Sequence, residues 1–457
     1  MTMTLSEIAK AVQGQLIGAD VEIASVSIDT RSLQRGQLYV AIKGPRFDGN
    51  EFIGTAEQAG AIAAIVHQGV AVNIPHIVVD DTHLALAELA GAWRRRLPVA
   101  VVGVTGSNGK TTVKEMTAAI FAAACTQPDE VLFTQGNLNN DIGVPLTLLR
   151  LNEQHRYAVI EMGANHLGEI AYTSRYAAAD VAVLNNAGAA HIEGFGSLDG
   201  VAKAKGEIIE TLKPNGVAVL NRDDVYFEQW RDIAGNRKVL AFGLNGRADV
   251  SAADIHTEIR DNAFCTRFTL QTADGFESCA LQLAGKHNVM NALAAASAAL
   301  AFGIELSVIK KGLAAVKPVT GRLQPLVGRL GNIIIDDTYN ANAASLKVGL
   351  DVLLGCAGEP WVVLGAFGEL GSESADIHRD VGYLLKQKGV TRLFAVGADA
   401  KHTVQAFGEG ATFFGQQEDL IATLQKLLQG GETVLIKGSR SQRMENVAAA
   451  LVDNFRN

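Results

Sequence analysis

One stretch restricts this chain more than any other. Residues 99–113 read VAVVGVTGSNGKTTV. A continuous apolar run suits a strand buried on both faces of a parallel sheet. It enters a glycine-rich turn, and a segment with Met116, Ile120 and Phe121 at helical spacing follows. Each part has a physical reason. Glycines let the backbone wrap closely enough for its N–H groups to cradle phosphate oxygens. The start of the helix adds a partial positive charge. The loop residues are Gly106, Ser107, Asn108, Gly109, Lys110, Thr111 and Thr112. Lys110 can bridge outer phosphates, and the Thr111 hydroxyl can hold Mg²⁺. The spacing departs from the common G-x-x-x-x-G-K-T, because Val104 stands where its first glycine would be. The loop implies a nucleotide without choosing a reaction.

The rhythm around it implies a doubly wound sheet. YAVIEMG, DVAVLNN and GVAVLN each read as a strand followed by a loop and a helix. The 457 residues suggest three domains at about 150 residues each. We place them at 1–82, 83–318 and 319–457: a small mixed α/β unit, a central parallel-sheet unit with the phosphate loop, and a Rossmann-like α/β unit. In the first, a helix is expected with Ser6 as its N-cap, and VEIASVSID, QLYVAI, AIAAIVH and HIVVDD as strands. Asp81 and Thr82 should cap a helix running to Arg96. Residues 250–284 suggest a β-hairpin turning at Ala273-Asp274-Gly275, followed by an alanine-rich helix from Asn288 to Phe302. NIIIDD, WVVLGAF, TRLFAVG and TVLIKGS then imply a second parallel sheet. The net charge of −8 argues against a general nucleic-acid binder. No signal peptide or apolar membrane span is visible, so a cytoplasmic protein is expected. Cys125, Cys265, Cys279 and Cys356 fit neither a zinc site nor a disulfide framework.

Further candidates lie downstream of the loop. Glu161 ends a strand, where side chains face the ligand crevice and a carboxylate can hold Mg²⁺. His191 follows the next strand, as either a structural loop histidine or a site residue. On a helix through residues 201–212, Lys205 falls within the apolar arc of Val201, Ile208 and Leu212, and Lys203 falls opposite with Glu207 and Glu210. Lys205 is then either a snorkelling side chain or a buried amine facing the phosphate site. Asn288 and Asn291 share a helix face. They are either amides for an adenine edge or a cap with an incidental polar neighbour.

TGSNGKTT, Glu161, His191, Lys205, HNxxN at 287–291, Gly321-Arg322 and DDTYNAN at 336–342 occur in an order that resembles the Mur ligase family. These are ATP-dependent amide-forming enzymes of peptidoglycan synthesis. DTRSLQRGQLYVAIKGPRFDG, QGNLNNDIGVPLTLL, EMGANHLGEI, HIEGFGSLDGVAKAKGEI and LIKGSRSQRME are most similar to the branch that joins D-alanyl-D-alanine to UDP-N-acetylmuramoyl-tripeptide. The DNPR-type motif of the branch that adds a diamino acid is absent.

The resemblance implies roles. Lys110 and the loop would hold ATP phosphates, with Thr111 and Glu161 on one Mg²⁺. Lys205 would be a carbamylated lysine on a second Mg²⁺, near His191. His287, Asn288 and Asn291 would lie at the adenine, Asp337 at the ribose and Arg322 at the outer phosphate. Asp29, Thr30, Arg31 and Lys43 would hold the UDP part in the first domain. Asn137, Asn139 and Asn140 would line the substrate channel. The reaction implied passes through an acyl phosphate, in a monomer that opens and closes. One departure stands out: relatives commonly have Gly-Asp-Met before Glu-Leu-Gly, where this chain has Gly365-Ala366-Phe367-Gly368. The rivals are a family member adding another amino acid, and a phosphate-loop switch that hydrolyses ATP only to change shape.

Overall fold

The computed structural model describes residues 1–44, 47–188, 192–245, 247–260 and 263–452, with residues 192 and 193 as backbone alone. Three large sheets follow one another along the chain.

The first sheet orders its strands as Gln15–Ile17, His76–Val79, Ala63–His67, Leu38–Val40 and Val26–Ser27. The Gln15–Ile17 strand is antiparallel and the rest are parallel. The expected strand VEIASVSID is broken. Glu22–Ile23 pairs with Met3–Thr4 in a separate ribbon, while Val26–Ser27 joins the main sheet. The first helix, Leu5–Ala11, is capped by Thr4 rather than Ser6. Thr4 Oγ1 accepts from the Glu7 N–H, and Glu7 Oε2 accepts from the Thr4 N–H. This reciprocal box needs a carboxylate three residues on; Ser6 has Ala9 there. The Thr82–Arg95 helix is capped by Asp81, as expected.

The middle sheet is six parallel strands in the order Lys238–Phe242, Val217–Asn221, Val181–Leu184, Ala100–Thr105, Tyr157–Glu161, Val131–Phe133. Both faces are covered, which explains the unbroken apolar run. Val101 joins the core on one side, and Val102 and Val104 join the core on the other. The chain leaves the Ala100–Thr105 strand toward one edge and returns on its other side. Its carboxyl end is therefore a topological switch point, where α/β sheets bind ligands. The expected hairpin is present as Ala263–Thr272 and Gly275–Leu281. A third antiparallel strand, Ser251–Arg260, extends it. The alanine-rich helix spans Lys286–Leu300.

The last sheet runs Gln324–Val327, Ile333–Asp337, Glu432–Lys437, Glu359–Gly365, Arg392–Val396, Ala411–Phe414. It is parallel except for its first strand, which is antiparallel to Ile333–Asp337 and corrects the all-parallel expectation. Asp337 and Lys437 are register partners at the carboxyl ends of adjacent strands. No helix among the described residues is long and apolar enough to cross a membrane.

Candidate active site

The phosphate loop is shaped by two glycines with positive φ, Gly106 (+151°) and Gly109 (+80°). A side chain at Gly109 would collide with the amides of Asn291 and Asn185. Asn185 and Asn186, just past the Val181–Leu184 strand, hold the loop from outside. Asn186 Oδ1 accepts from the Asn108 N–H at 2.9 Å, and Asn185 Nδ2 donates to the Asn108 carbonyl at 2.9 Å. Sequence reasoning did not single out this pair. Two amides at the end of the strand beside the loop strand were the available signal. Lys110 folds back, its Nζ donating to the carbonyls of Gly106 (2.7 Å) and Ser107 (3.2 Å). Burial lowers its pKa and nearby Arg322 adds to the effect, partly countered by Glu161. An anion placed in the loop would favour its charged form.

Glu161 is 2% exposed. Its Oε1 accepts from Asn139 Nδ2 at 2.8 Å and from Thr111 Oγ1 at 3.3 Å, while its Oε2 is buried without a partner. A solvent-excluded carboxylate oxygen left unpaired is costly. Beside a hydroxyl and a phosphate loop, it suits a hard cation. Among the described residues no group of three or more His, Cys, Asp or Glu side chains gathers as a metal set. The Thr111 hydroxyl and one carboxylate beside the phosphate loop fit Mg²⁺, which takes one or two protein oxygens and fills its shell with phosphates and water. Asn139, expected along the substrate channel, is thus bonded to the acid at the loop. Asn140 Oδ1 accepts from the Gly143 N–H at the start of the Gly143–Leu149 helix. Asn137, Asn139 and Asn140 all line one cavity with Lys110, Thr111 and Glu161.

Lys205 points inward on the Leu198–Glu210 helix and is 2% exposed; Lys203 is exposed. Among the described residues Lys205 Nζ donates to the Ala164 carbonyl at 3.4 Å, and the ammonium lies 5.2 Å from the Phe195 ring centroid. Burial pulls its pKa down to about 7, helped by the charge of Lys110 and opposed by Glu169 and Glu207. Glu207 is not on a solvated face as expected. It is buried and accepts from the N–H groups of Gly168 (2.7 Å) and Ala171 (3.0 Å) at the start of the Glu169–Ala177 helix. A carboxylate is stabilised at a helix N-terminus. His191 lies outside the described residues.

The last unit reaches into this site. Arg322 Nη2 donates to Thr111 Oγ1 at 3.1 Å, and its guanidinium lies 4.4 Å from the Tyr339 ring centroid. Asn342 Nδ2 donates to Asn108 Oδ1 at 3.3 Å. Two cavities flank the contact. One, of about 320 Å³, has apolar walls from Leu283, Val316 and Val348 and amides from Asn288 and Asn291, with His287 and Asp337. Burial pushes the His287 pKa down to about 4, and its Nε2 accepts from Asn288 Nδ2. The Asn291 amide is engaged at both ends, accepting from Asn185 and donating to Asn288. Asp337 Oδ2 accepts from Lys437 Nζ at 2.5 Å. The second cavity, of about 770 Å³, runs from Lys110, Thr111 and Glu161 to Glu369, Leu370 and Arg440.

Neither cavity is lined by Asp29, Thr30, Arg31 or Lys43. These residues stand apart on the first unit. There, hydrogen bonds from Arg31 hold the Asp29 carboxyl down to about 2, and Lys43 lies 3.9 Å from Asp48. Ala366 lines neither cavity either. It is buried against Gly397, and its carbonyl accepts from Ser439 Oγ at 2.8 Å.

Three family models match in sequence order: "Mur ligase family, catalytic domain" over residues 22–96, "Mur ligase middle domain" over 104–299, and "Mur ligase, glutamate ligase domain" over 321–440. The UDP-N-acetylmuramoyl-tripeptide–D-alanyl-D-alanine ligase of Escherichia coli (strain K12) is 44% identical over 457 residues, 99% of each chain. The Bacillus subtilis (strain 168) protein of that name is 34% identical, covering 99% of this chain and 98% of its own. A crystal structure of MurF from Acinetobacter baumannii superposes with a TM-score of 0.93, at 36% identity and 99% coverage of each chain. MurF ligase from Thermotoga maritima in complex with ADP gives 0.83, at 29% identity and 93% and 96% coverage. With its three units matched in order and end-to-end relatives at this identity, the chain belongs to the Mur ligase family.

Proposed function

We propose that this chain is an ATP-dependent amide ligase of peptidoglycan precursor synthesis. It joins D-alanyl-D-alanine to UDP-N-acetylmuramoyl-tripeptide and releases ADP and phosphate. The supporting relatives carry that activity in their names. The observation that carries the reading is Arg322, from the last unit, donating to Thr111 of the phosphate loop across a cavity walled by both units. A switch that only hydrolyses ATP has no use for that shared cavity.

The chemistry follows from charge. A carboxylate is a poor electrophile, because oxide is a poor leaving group. Transfer of the ATP γ-phosphoryl group makes an acyl phosphate. The neutral acceptor amine attacks its carbonyl, and phosphate departs from the tetrahedral adduct. Bringing a carboxylate to within about 4 Å of one phosphate charge costs about 4 kcal/mol at an effective dielectric near 20. Lys110 and Arg322 offset that repulsion, and positioning supplies much of the rest. Thr111 and Glu161 would hold one Mg²⁺. Lys205, carbamylated by CO₂ with loss of a proton, would hold a second beside His191. Bound there, the cations neutralise phosphate charge. Asn139 orients Glu161, and Asn185 and Asn186 fix the loop. The amide-rich cavity takes the adenine, beside His287, Asn288 and Asn291, with Asp337 toward the ribose. Asp29, Thr30, Arg31 and Lys43 take the UDP end, and Asn137 and Asn140 border the path between. The units 1–82, 83–318 and 319–457 divide these tasks in a cytoplasmic monomer.

Phosphate release with UDP-N-acetylmuramoyl-tripeptide should require D-alanyl-D-alanine. It should vanish in Lys110→Ala while the circular-dichroism spectrum and melting stay unchanged. Release without an acceptor, or with a single amino acid in its place, overturns the assignment.

A further inference from the structure

The larger cavity is bordered by four cations: Lys110, Arg322, Lys437 and Arg440. Two serve the phosphate loop: Lys110 is bonded to its carbonyls and Arg322 to Thr111, with the Arg322 Nε buried and unpaired. Lys437, 1% exposed, is held by Asp337 and the Asn340 carbonyl. Arg440 differs. Its side chain is 65% exposed, and its ion pair is a single contact, Nη1 to Glu445 Oε1 at 3.1 Å. A second fork of guanidinium N–H groups therefore remains for a ligand, and a guanidinium matches a carboxylate with two parallel hydrogen bonds. Carboxylates also line the cavity, including Glu161, Glu169, Glu369 and Glu373. An anionic group entering this space needs a dedicated cation.

Position supplies the rest. Arg440 lies 6.0 Å from the Tyr339 ring centroid and Arg322 lies 4.4 Å from the same centroid, so their guanidinium carbons are no more than about 10 Å apart. Arg322 marks the phosphate end, where the acceptor amine must attack. An extended dipeptide spans about 7 Å, and one charge-assisted hydrogen bond adds about 2.8 Å. Together they cover that interval. Leu370 and Ile377 give the same cavity an apolar wall.

We propose that Arg440 is the specificity-determining residue that receives the terminal carboxylate of the dipeptide acceptor. This inference rests on the ligase reading given above. The test compares D-alanyl-D-alanine with D-alanyl-D-alaninamide, which keeps the amine and lacks the carboxylate. Arg440→Gln should lower kcat/KM for D-alanyl-D-alanine by about 10–100-fold, the usual worth of a charged hydrogen bond, chiefly through KM. KM for ATP and for the UDP-substrate should stay within about threefold. With the amide, parent and variant should be alike, and Arg440→Lys should recover part of the loss on the dipeptide. Equal losses on both acceptors overturn the proposal, as does an unchanged KM for the dipeptide. If the parent protein itself does not use D-alanyl-D-alanine, the ligase reading fails instead.

Discussion

Lys114 and Lys205 sit on helices that cover opposite faces of the middle sheet, 1% and 2% exposed. Their surroundings differ. Lys114 Nζ donates to the Thr134 carbonyl at 2.7 Å and lies 2.8 Å from Glu115 Oε1. Lys205 has one long bond to a carbonyl and an aromatic ring. The nearby Glu207 is already spent on backbone N–H groups. A buried ammonium needs partners. Lys114 has them and serves the architecture. Its acceptor residue, Thr134, in turn takes the Glu161 N–H on its hydroxyl. Among the described residues Lys205 has only the long Ala164 contact and the Phe195 ring, and burial brings its pKa down to about 7. Burial alone does not mark a chemical lysine; burial with poor acceptors does.

The largest expected effect tests that difference directly. Lys205→Ala should cut kcat by about 10²–10³-fold, the cost of losing one electrostatic group at a reaction centre. Short carboxylic acids added to the assay should restore part of it. Lys114→Met should leave kcat within about tenfold of the parent. Equal losses in the two variants would erase the contrast. So would a Lys205→Ala enzyme that no carboxylic acid improves, together with an unmodified lysine in a high-resolution map.

The second effect is on stability. The Lys205 pKa falls from 10.5 unfolded to about 7 folded. Below pH 7 both states hold the proton, and folding bears the full cost of the buried charge. Between pH 7 and 10.5 the unfolded chain binds more protons, so stability rises with pH. In metal-free, CO₂-free buffer, moving from pH 7 to pH 9 should add about 2–3 kcal/mol from this group. Urea midpoints for the parent and Lys205→Met measure it. The variant should lose this increment; an equal rise in both would place the charge elsewhere.

The contrast was half legible beforehand. The helical pattern placed Lys205 inward and Lys203 outward, because both statements depend only on local periodicity. It failed for Glu207, because the wheel assumes a solvent face. The Leu198–Glu210 helix instead meets the start of the Glu169–Ala177 helix, which supplies the N–H groups that Glu207 caps. The phosphate loop and Glu161 were readable from strand, turn and helix in sequence order. Arg322 was placed at the outer phosphate by family resemblance, and the structure sets it against Thr111. Asn185 and Asn186 were not readable as loop supports, since their partner Asn108 lies almost eighty residues away. The Lys437–Asp337 pair depends on sheet register across 100 residues. Asn139 lines the larger cavity with Asn137 and Asn140, and nothing local in the sequence reveals that it also bonds to Glu161.

The smallest expected effect concerns Lys114. Lys114→Met keeps most of the volume, so little cavity cost arises. What is lost is the donor to the Thr134 carbonyl, which becomes a buried, unpaired acceptor worth about 1–2 kcal/mol. The partner carboxylate adds little, since the Glu115 side chain is 33% exposed and stays hydrated without the lysine. Breaking a wholly buried pair would cost about 3–5 kcal/mol. A urea-midpoint change near the lower range therefore makes Lys114 a backbone tether for the strand end that supports Glu161. A change near the upper range makes it half of a true buried ion pair. No change at all would mean that the surroundings of Lys114 do not stabilise its charge, and the contrast with Lys205 would have to rest on the Mg²⁺ chemistry alone.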